Sequence, residues 1–488
     1  MQSSLHGYWS FLFSLFVATV LGACSSTRDI PLAITHVTLI DATGAPPRAD
    51  VTVIVARGMI SSIGPSSSIA IPPGARVIDG SGKFLIPGLA DMHVHLTGAG
   101  EPNGSREFIL PLLVANGITT VRDMGGSVEL LKTLRAEVES GKRVGPRIFF
   151  TGPYLDGNPP SFQPSVVVQN AAEGKAAVDQ LKRDGVDFVK VQSRLQPEAY
   201  FAIASEAKQQ GMRFVGHVPD SITAAQASDA GQASLEHLTG VLLGMSEKEN
   251  ELRNEKMKPP VAGESREVTR NRDRLWTQTL LDSLSAQKTA VLLATFAKNR
   301  TWNVPTFPTL VHIGFVTPQT DLARDPRLKY VPSSVQANWQ KATREQLEGY
   351  SSEDFILREA IVRHSMDAVG KMNAAGIPLM AGTDTAAPNV IPGFSLHEDL
   401  GYLVRSGLTP MQALQAATVE PAEFLGKGAE QGTIEIGKRA DLVLLDANPL
   451  DDIRNTQKIR AVVVNATALD RGKLDKLLSS VGRFAATH

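Results

Sequence analysis

The sequence predicts an α/β fold: a (β/α)8 TIM barrel carrying a small β-sandwich domain formed from N- and C-terminal segments. Three observations predict it. Between residues 86 and 424, eight short apolar, β-branched runs alternate with stretches of helical periodicity, as βαβ units of a parallel sheet do. Histidine, lysine and aspartate recur at or near the ends of those runs, where such a barrel keeps its active site. The flanking segments, 32–85 and 425–470, alternate apolar and polar residues between turn residues.

Taken in order, the chain opens with an apolar run, Phe11 to Ala23, of signal-peptide length and short for a membrane span. Leu21-Gly22-Ala23-Cys24 follows, and Cys24 is the single cysteine of the chain. This resembles the lipobox of bacterial lipoproteins, which implies cleavage at 23, lipidation of Cys24, a tether over 24–31 and an exported protein held on a membrane by lipid alone. The first ten residues carry no Lys or Arg, unlike most such signals. Pro31 to Asp41, Val51 to Arg57, Met59 to Gly64 and Arg76 to Asp79 read as strands. The barrel strands are then expected at 88–95, 117–124, 146–151, 186–192, 212–217, 233–238, 302–310 and 377–384. Ser127 to Ser140, Ala171 to Asp184 and Pro197 to Gln210 are amphipathic helices between them. Met245 to Arg300 and Thr317 to Asn373 are charged and helical in pattern. Strands return at 432–436, 441–446 and 459–464, and the tail from Arg471 reads as one short helix followed by disorder.

Composition bounds the function. The chain has 488 residues, 42% hydrophobic and 20% charged, with a net charge of −1 and no long block of like charge. That argues against nucleic acid as a partner and leaves a homo-oligomer open. With one cysteine there is no intramolecular disulfide and no thiolate metal cluster, so a metal site would need His, carboxylate or modified Lys ligands.

His93 and His95 form a His-x-His pair, and alternate residues of a strand share a face, so both imidazoles can reach one metal ion. Two buried, hydrogen-bonded histidines are the plainer alternative. Lys190 lies inside the apolar run Phe188-Val189-Lys190-Val191; burial of its charge would be costly and would depress its pKa. A lysine reaching out to solvent from a strand end is the rival. His217 and His237 each close a strand-like run, and Asp384 follows another, where it is either a ligand or a helix cap. Asp91 and Asp123 read as structural.

Together these pieces resemble the amidohydrolase superfamily, in the branch of Xaa-Pro dipeptidases and imidazolonepropionase-like proteins. The matching motifs are IPGLADMHVH (86–95), GITTVRDMGG (117–126), VDFVKV (186–191), GH (216–217), EH (236–237), AGTD (381–384), LTPMQALQAAT (408–418) and GKRADLVLLDANPL (437–450). The resemblance implies two divalent metal ions, zinc foremost. His93, His95 and Asp384 would hold the first, His217 and His237 the second, and a carbamate on Lys190 would bridge them. It implies Asp384 as general base toward a bridging water, and hydrolysis of the amide bond of a dipeptide or N-acyl amino acid. Tyr154, in the Pro- and Gly-rich loop 151–163, and His397, which starts a late helix, are candidates for substrate contact. A one-metal deaminase or cyclic amidase is the rival enzyme; its His-x-x-Glu is replaced here by His217-Val218-Pro219-Asp220. A surface lipoprotein that binds a ligand without catalysis is the rival of another class.

Overall fold

Alternation at the start of the chain does build strands. A computed structural model describes residues 30–97, 104–258, 263–314 and 324–488. The signal-like run and Cys24 lie outside the described residues. The first strands are β1 (Leu32–Leu39), β2 (Arg48–Ala56), β3 (Met59–Pro65), β4 (Arg76–Asp79) and β5 (Phe84–Pro87). β2 pairs antiparallel with β1 and β3, while β4 and β5 lie parallel along the other edge of β1. Arg57 and Gly58 make the turn from β2 to β3 with φ of 52° and 74°, a left-handed pair that suits the twist of a hairpin.

The barrel strands follow. β6 (Leu89–Val94), β7 (Ile118–Asp123) and β8 (Arg147–Phe150) are parallel neighbours. β9 (Tyr154–Asp156), inside the segment 151–163 expected to be a loop, pairs parallel with β10 (Ser165–Val167) just after it. β11 (Phe188–Val191), β12 (Arg213–Gly216), β13 (Ser234–Glu236) and β14 (Trp302–Val304) continue the parallel order. Asp187 N donates to Phe150 O at 2.9 Å and so joins β8 to the start of β11. β6, β7 and β11 are buried along their whole length, as expected of a sheet covered on both faces. Helices Val128–Glu139, Ala171–Arg183 and Pro197–Gln209 fall where the periodicity places them; Ser127 and Asn170 cap the first two through their side chains.

Segment 377–385 closes the ring between β14 and β6 without forming a regular strand. Asn303 N donates to Pro378 O at 3.1 Å on one side, and Met92 N to Ala381 O at 3.0 Å on the other. The ladder breaks because side-chain carboxylates take its amides: Asp399 accepts from Gly382 N at 3.1 Å and Asp91 from Thr383 N at 3.0 Å. The strand expected over 302–310 also stops early, at Val304. Pro305 has no N–H to donate, Thr306 turns left-handed at φ 51°, and a helix runs from Phe307 to Gly314.

β15 (Leu442–Leu445), β16 (Ile459–Val464) and β17 (Thr467–Asp470) return to the first sheet, which has eight strands in the order β17-β16-β15-β5-β1-β2-β3 with β4 beside β1. The expected β-sandwich domain is thus one sheet folded over a shared core of Ile34, Val53, Leu85, Leu444 and Val463. Two expectations fail here. Gly432 to Ile436 forms no strand; Gly432 sits at φ 99° in a turn. The tail is a helix from Arg471 to Ala485, capped by Asp470 and burying Leu474, Val481 and Ala485, so packing holds it ordered.

Candidate active site

Four histidines, one lysine and one aspartate converge at the C-terminal ends of the barrel strands. The ring centroids of His95 and His93 lie 5.3 Å apart, those of His93 and His237 4.5 Å, and those of His237 and His217 5.0 Å. Asp384 reaches into this row: its Oδ1 is 3.1 Å from His95 Nε2 and 3.4 Å from His93 Nε2, and its Oδ2 is 4.0 Å from His237 Nδ1.

Each imidazole is held by its Nδ1. His93 Nδ1 donates to Glu236 Oε2 at 2.8 Å, and His95 Nδ1 to Gly125 O at 3.1 Å. His237 Nδ1 donates at 2.7 Å to Thr306 Oγ1, whose own proton goes to Pro305 O; His217 Nδ1 meets Ser193 Oγ at 2.9 Å. With Nδ1 engaged, His93 and His95 turn Nε2 toward Asp384, the arrangement that second-sphere partners impose on metal-binding histidines. His93 Nε2 is buried and has no hydrogen-bond partner. His237 and Asp384 also hold left-handed backbone at φ 57° and 63°, which non-glycine residues keep at a cost where the surroundings demand it.

Electrostatics follow from burial. His93 and His217 are pushed well below the usual histidine range by burial, and the Lys190 charge adds to this, so both stay neutral and able to coordinate. Burial opposes charge on His95 as well, but the hydrogen bond and charge of Asp384 outweigh it and raise its pKa. Burial would raise Asp384, yet the charges of His237 and His95 hold it low. Lys190 on β11 is 1% exposed, and burial pulls its pKa down to about 8. Its Nζ lies 6.0 Å from the ring of Tyr154.

The row is braced from below by two residues that lie in the quoted motifs but were assigned no role from sequence. Arg122 and Glu236 are both fully buried inside the barrel and pair at 2.9 Å; Arg122 also donates to Met92 O at 2.7 Å. Glu236 thereby fixes His93 while Arg122 balances its charge. The available signal was a charged residue inside each apolar run, Arg122 in ITTVRD and Glu236 in ASLEHL. Asp91 accepts from Thr383 Oγ1 at 2.7 Å and Asp123 from Gly125 N at 3.0 Å, so both shape the backbone beside Asp384 and the histidines.

Tyr154 joins the cluster: its hydroxyl lies 3.3 Å from His95 Nδ1. His397 does not. It is 1% exposed, and its Nδ1 meets Thr456 Oγ1 at 2.9 Å, because the helix Phe394–Arg405 turns that face to segment 453–457. Buried there, it cannot contact a substrate. Asp220 also stays outside, paired with Lys256 at 2.8 Å.

The donor set suits a divalent cation. His93, His95 and Asp384 each offer one ligand atom, all within 4.8 Å of one another. His217, His237 and Lys190 extend the same space.

Comparison with known proteins agrees. Ochratoxinase of Aspergillus niger is 33% identical over 117 residues, 24% of this chain and 23% of that protein. Imidazolonepropionase of Geobacillus sp. is 42% identical over 78 residues, 16% of this chain and 18% of that protein. The chain thus matches these curated relatives over less than a quarter of their length. Among solved structures, bottromycin amidohydrolase superposes with a TM-score of 0.70 at 23% identity, covering 94% of this chain and 91% of the other. A Xaa-Pro dipeptidase with methionine in its active site gives 0.64 at 21% identity, covering 90% and 100%. At such identities the likeness is one of fold. Residues 84–469 match the family model of the amidohydrolases, whose members are generally metal-dependent. That match takes in most of the chain, and the protein belongs to the amidohydrolase family.

Proposed function

We propose that this protein is a metal-dependent hydrolase of amide bonds, acting on a dipeptide or N-acyl amino acid. The observation that carries the reading is the set of four imidazoles, each anchored through Nδ1, gathered around Asp384 and the buried Lys190. His93, His95 and Asp384 would hold one ion, His217 and His237 a second, and Lys190, as a carbamate, would bridge the two; zinc suits these ligands. Bound there, divalent ions acidify water and polarise the scissile carbonyl.

The residues of the chain do the rest. The Asp384 carboxylate accepts the proton of the attacking water and returns it to the leaving nitrogen. Its low pKa keeps it ready as an acceptor. Glu236 and Gly125 hold His93 and His95 in the tautomer that presents Nε2. Tyr154, whose hydroxyl stands at the edge of this space, is positioned to donate a hydrogen bond to substrate. The deaminase reading loses ground because Asp220, at the place of its glutamate, is engaged by Lys256 away from the imidazoles.

Metal content per chain, measured on the parent and on Lys190→Ala, tests the proposal together with turnover of dipeptides and N-acyl amino acids. Two equivalents in the parent and a clear loss in the variant support it. One equivalent in both removes the bridging role of Lys190 and turns the search to deaminase substrates. Export and lipidation at Cys24 belong to the same proposal; failure of Cys24→Ser to abolish incorporation of labelled fatty acid would defeat that part.

A further inference from the structure

A cavity of about 630 Å³ opens at the other end of the barrel, between the start of β8 and the tips of two hairpins of the sheet. Its volume falls in the range of ~300–1,000 Å³ usual for small-molecule sites. The tips are Arg57-Gly58, between β2 and β3, and Asn465-Ala466, between β16 and β17. They touch: a Cβ on Gly58 would lie 3.0 Å from that of Ala466. Arg57, Asn465 and Ala466 are all non-glycine residues in left-handed backbone, at φ 52°, 46° and 62°.

Arg57, Arg147, Lys427 and Arg439 line the cavity, against the carboxylates of Glu139 and Asp441; Arg135 and Asp187, also on its wall, pair with each other. Lys427 Nζ pairs with Glu430 Oε1 at 2.8 Å and Arg439 Nη2 donates to Asn465 Oδ1 at 3.5 Å, while groups behind the wall are poorly satisfied. Arg147 Nη2, Arg439 Nε and Asp441 Oδ2 are buried atoms with no hydrogen-bond partner. Asp441 Oδ2 stands 3.8 Å from each of the two guanidinium nitrogens, too far for a hydrogen bond. Three of the ten such orphaned atoms among the described residues thus meet in one place. Arg57 makes no ion pair or hydrogen bond among the described residues.

We propose that this cavity is a binding site for a small oxyanion ligand, a phosphate- or carboxylate-bearing molecule held by Arg57, Arg147 and Arg439. Guanidiniums recognise either group through forked N–H donors, and Arg57, exposed at the rim, and Arg439, 37% exposed, can turn such donors into the cavity. The site lies at the N-terminal ends of the barrel strands, away from Asp384, and is independent of the proposed amidase activity.

Calorimetric titration of the metal-loaded protein with inorganic phosphate, and separately with succinate, at constant ionic strength tests it. The two arms distinguish the phosphate and carboxylate sources. The same titrations are run on Arg57→Ala/Arg439→Gln and on Arg147→Gln. Saturable binding in the parent that weakens at least tenfold in the variants, with thermal stability in ligand-free buffer retained, is the expected result. Should Arg147→Gln fail to fold, Arg57→Ala/Lys427→Ala, whose side chains lie at the rim, carries the test. Absence of binding in the parent, or binding unchanged in the variants (as for phosphate captured at the metal site), overturns the proposal.

Discussion

The two ends of the barrel hold opposite kinds of polar cluster. At the C-terminal ends of the strands, four imidazoles and a carboxylate converge, and every Nδ1 is anchored by a neighbour. At the base, guanidiniums gather around a cavity with Nη2 of Arg147 and Nε of Arg439 left without partners. The first set, with His93 and His217 held neutral and Asp384 ionised, offers ligand atoms to a cation; the second carries excess positive charge and fits an anion. They also differ in rigidity. The mouth is built from strand ends braced by the buried Arg122–Glu236 pair, whereas the base is built partly from hairpin tips. Preorganisation of a binding group thus lies in the atoms behind it, and those can be seen only in the fold.

The largest expected effect is at the mouth. Asp384→Asn should lower kcat by ~10²–10⁴ while leaving the melting temperature close to that of the parent, because it removes a proton acceptor and keeps the shape. A mutant with undiminished turnover would remove Asp384 from the chemistry. Next comes a paired test of the same residue type at both ends. Arg122→Leu strands the buried Glu236 charge and should cost about 3–5 kcal/mol in urea unfolding. Arg57→Leu, exposed at a hairpin tip and without an ion pair among the described residues, should cost under about 1 kcal/mol. Equal losses would erase the distinction between a braced and an unbraced cluster.

Glu236→Gln should weaken metal binding ~10–100-fold in chelator competition, since His93 loses its charged anchor but retains a hydrogen-bonding neighbour. Unchanged affinity would deny Glu236 that role. The smallest effect is expected for Tyr154→Phe: a rise in KM corresponding to about 1 kcal/mol, with kcat within twofold, read from steady-state kinetics. A collapse of kcat instead would move the hydroxyl into the reaction itself.

Much of the mouth was legible in the chain because its residues sit at the ends of runs with strong strand periodicity. His93, His95, Lys190, His217, His237 and Asp384 all arrive in one place. His397 was misplaced because a helix face cannot be aimed from local periodicity; its turn points at Thr456. The eighth strand was read too regularly, since periodicity does not reveal that Asp91 and Asp399 take the amides of Gly382 and Thr383. The base cluster could not be assembled from motifs: Arg439 falls in the 437–450 motif, but Arg57 and Arg147 come from the sheet and the barrel, far away in sequence.

Local pattern alone foretold the βα alternation, the runs that carry His93, His95, Lys190, His217 and His237, and the return of the C-terminal strands to the N-terminal sheet. These follow from local rules, side-chain period and turn chemistry, which act over a few residues. It took the closed fold to set which nitrogens of His93 and His95 face Asp384, to brace His93 with Glu236 and Arg122, and to bring three distant arginines to one cavity. Those outcomes depend on closure of the ring between β14 and β6, which brings residues hundreds of positions apart within hydrogen-bond reach, as Asp91 and Thr383 show at 2.7 Å. No local preference encodes such a distance.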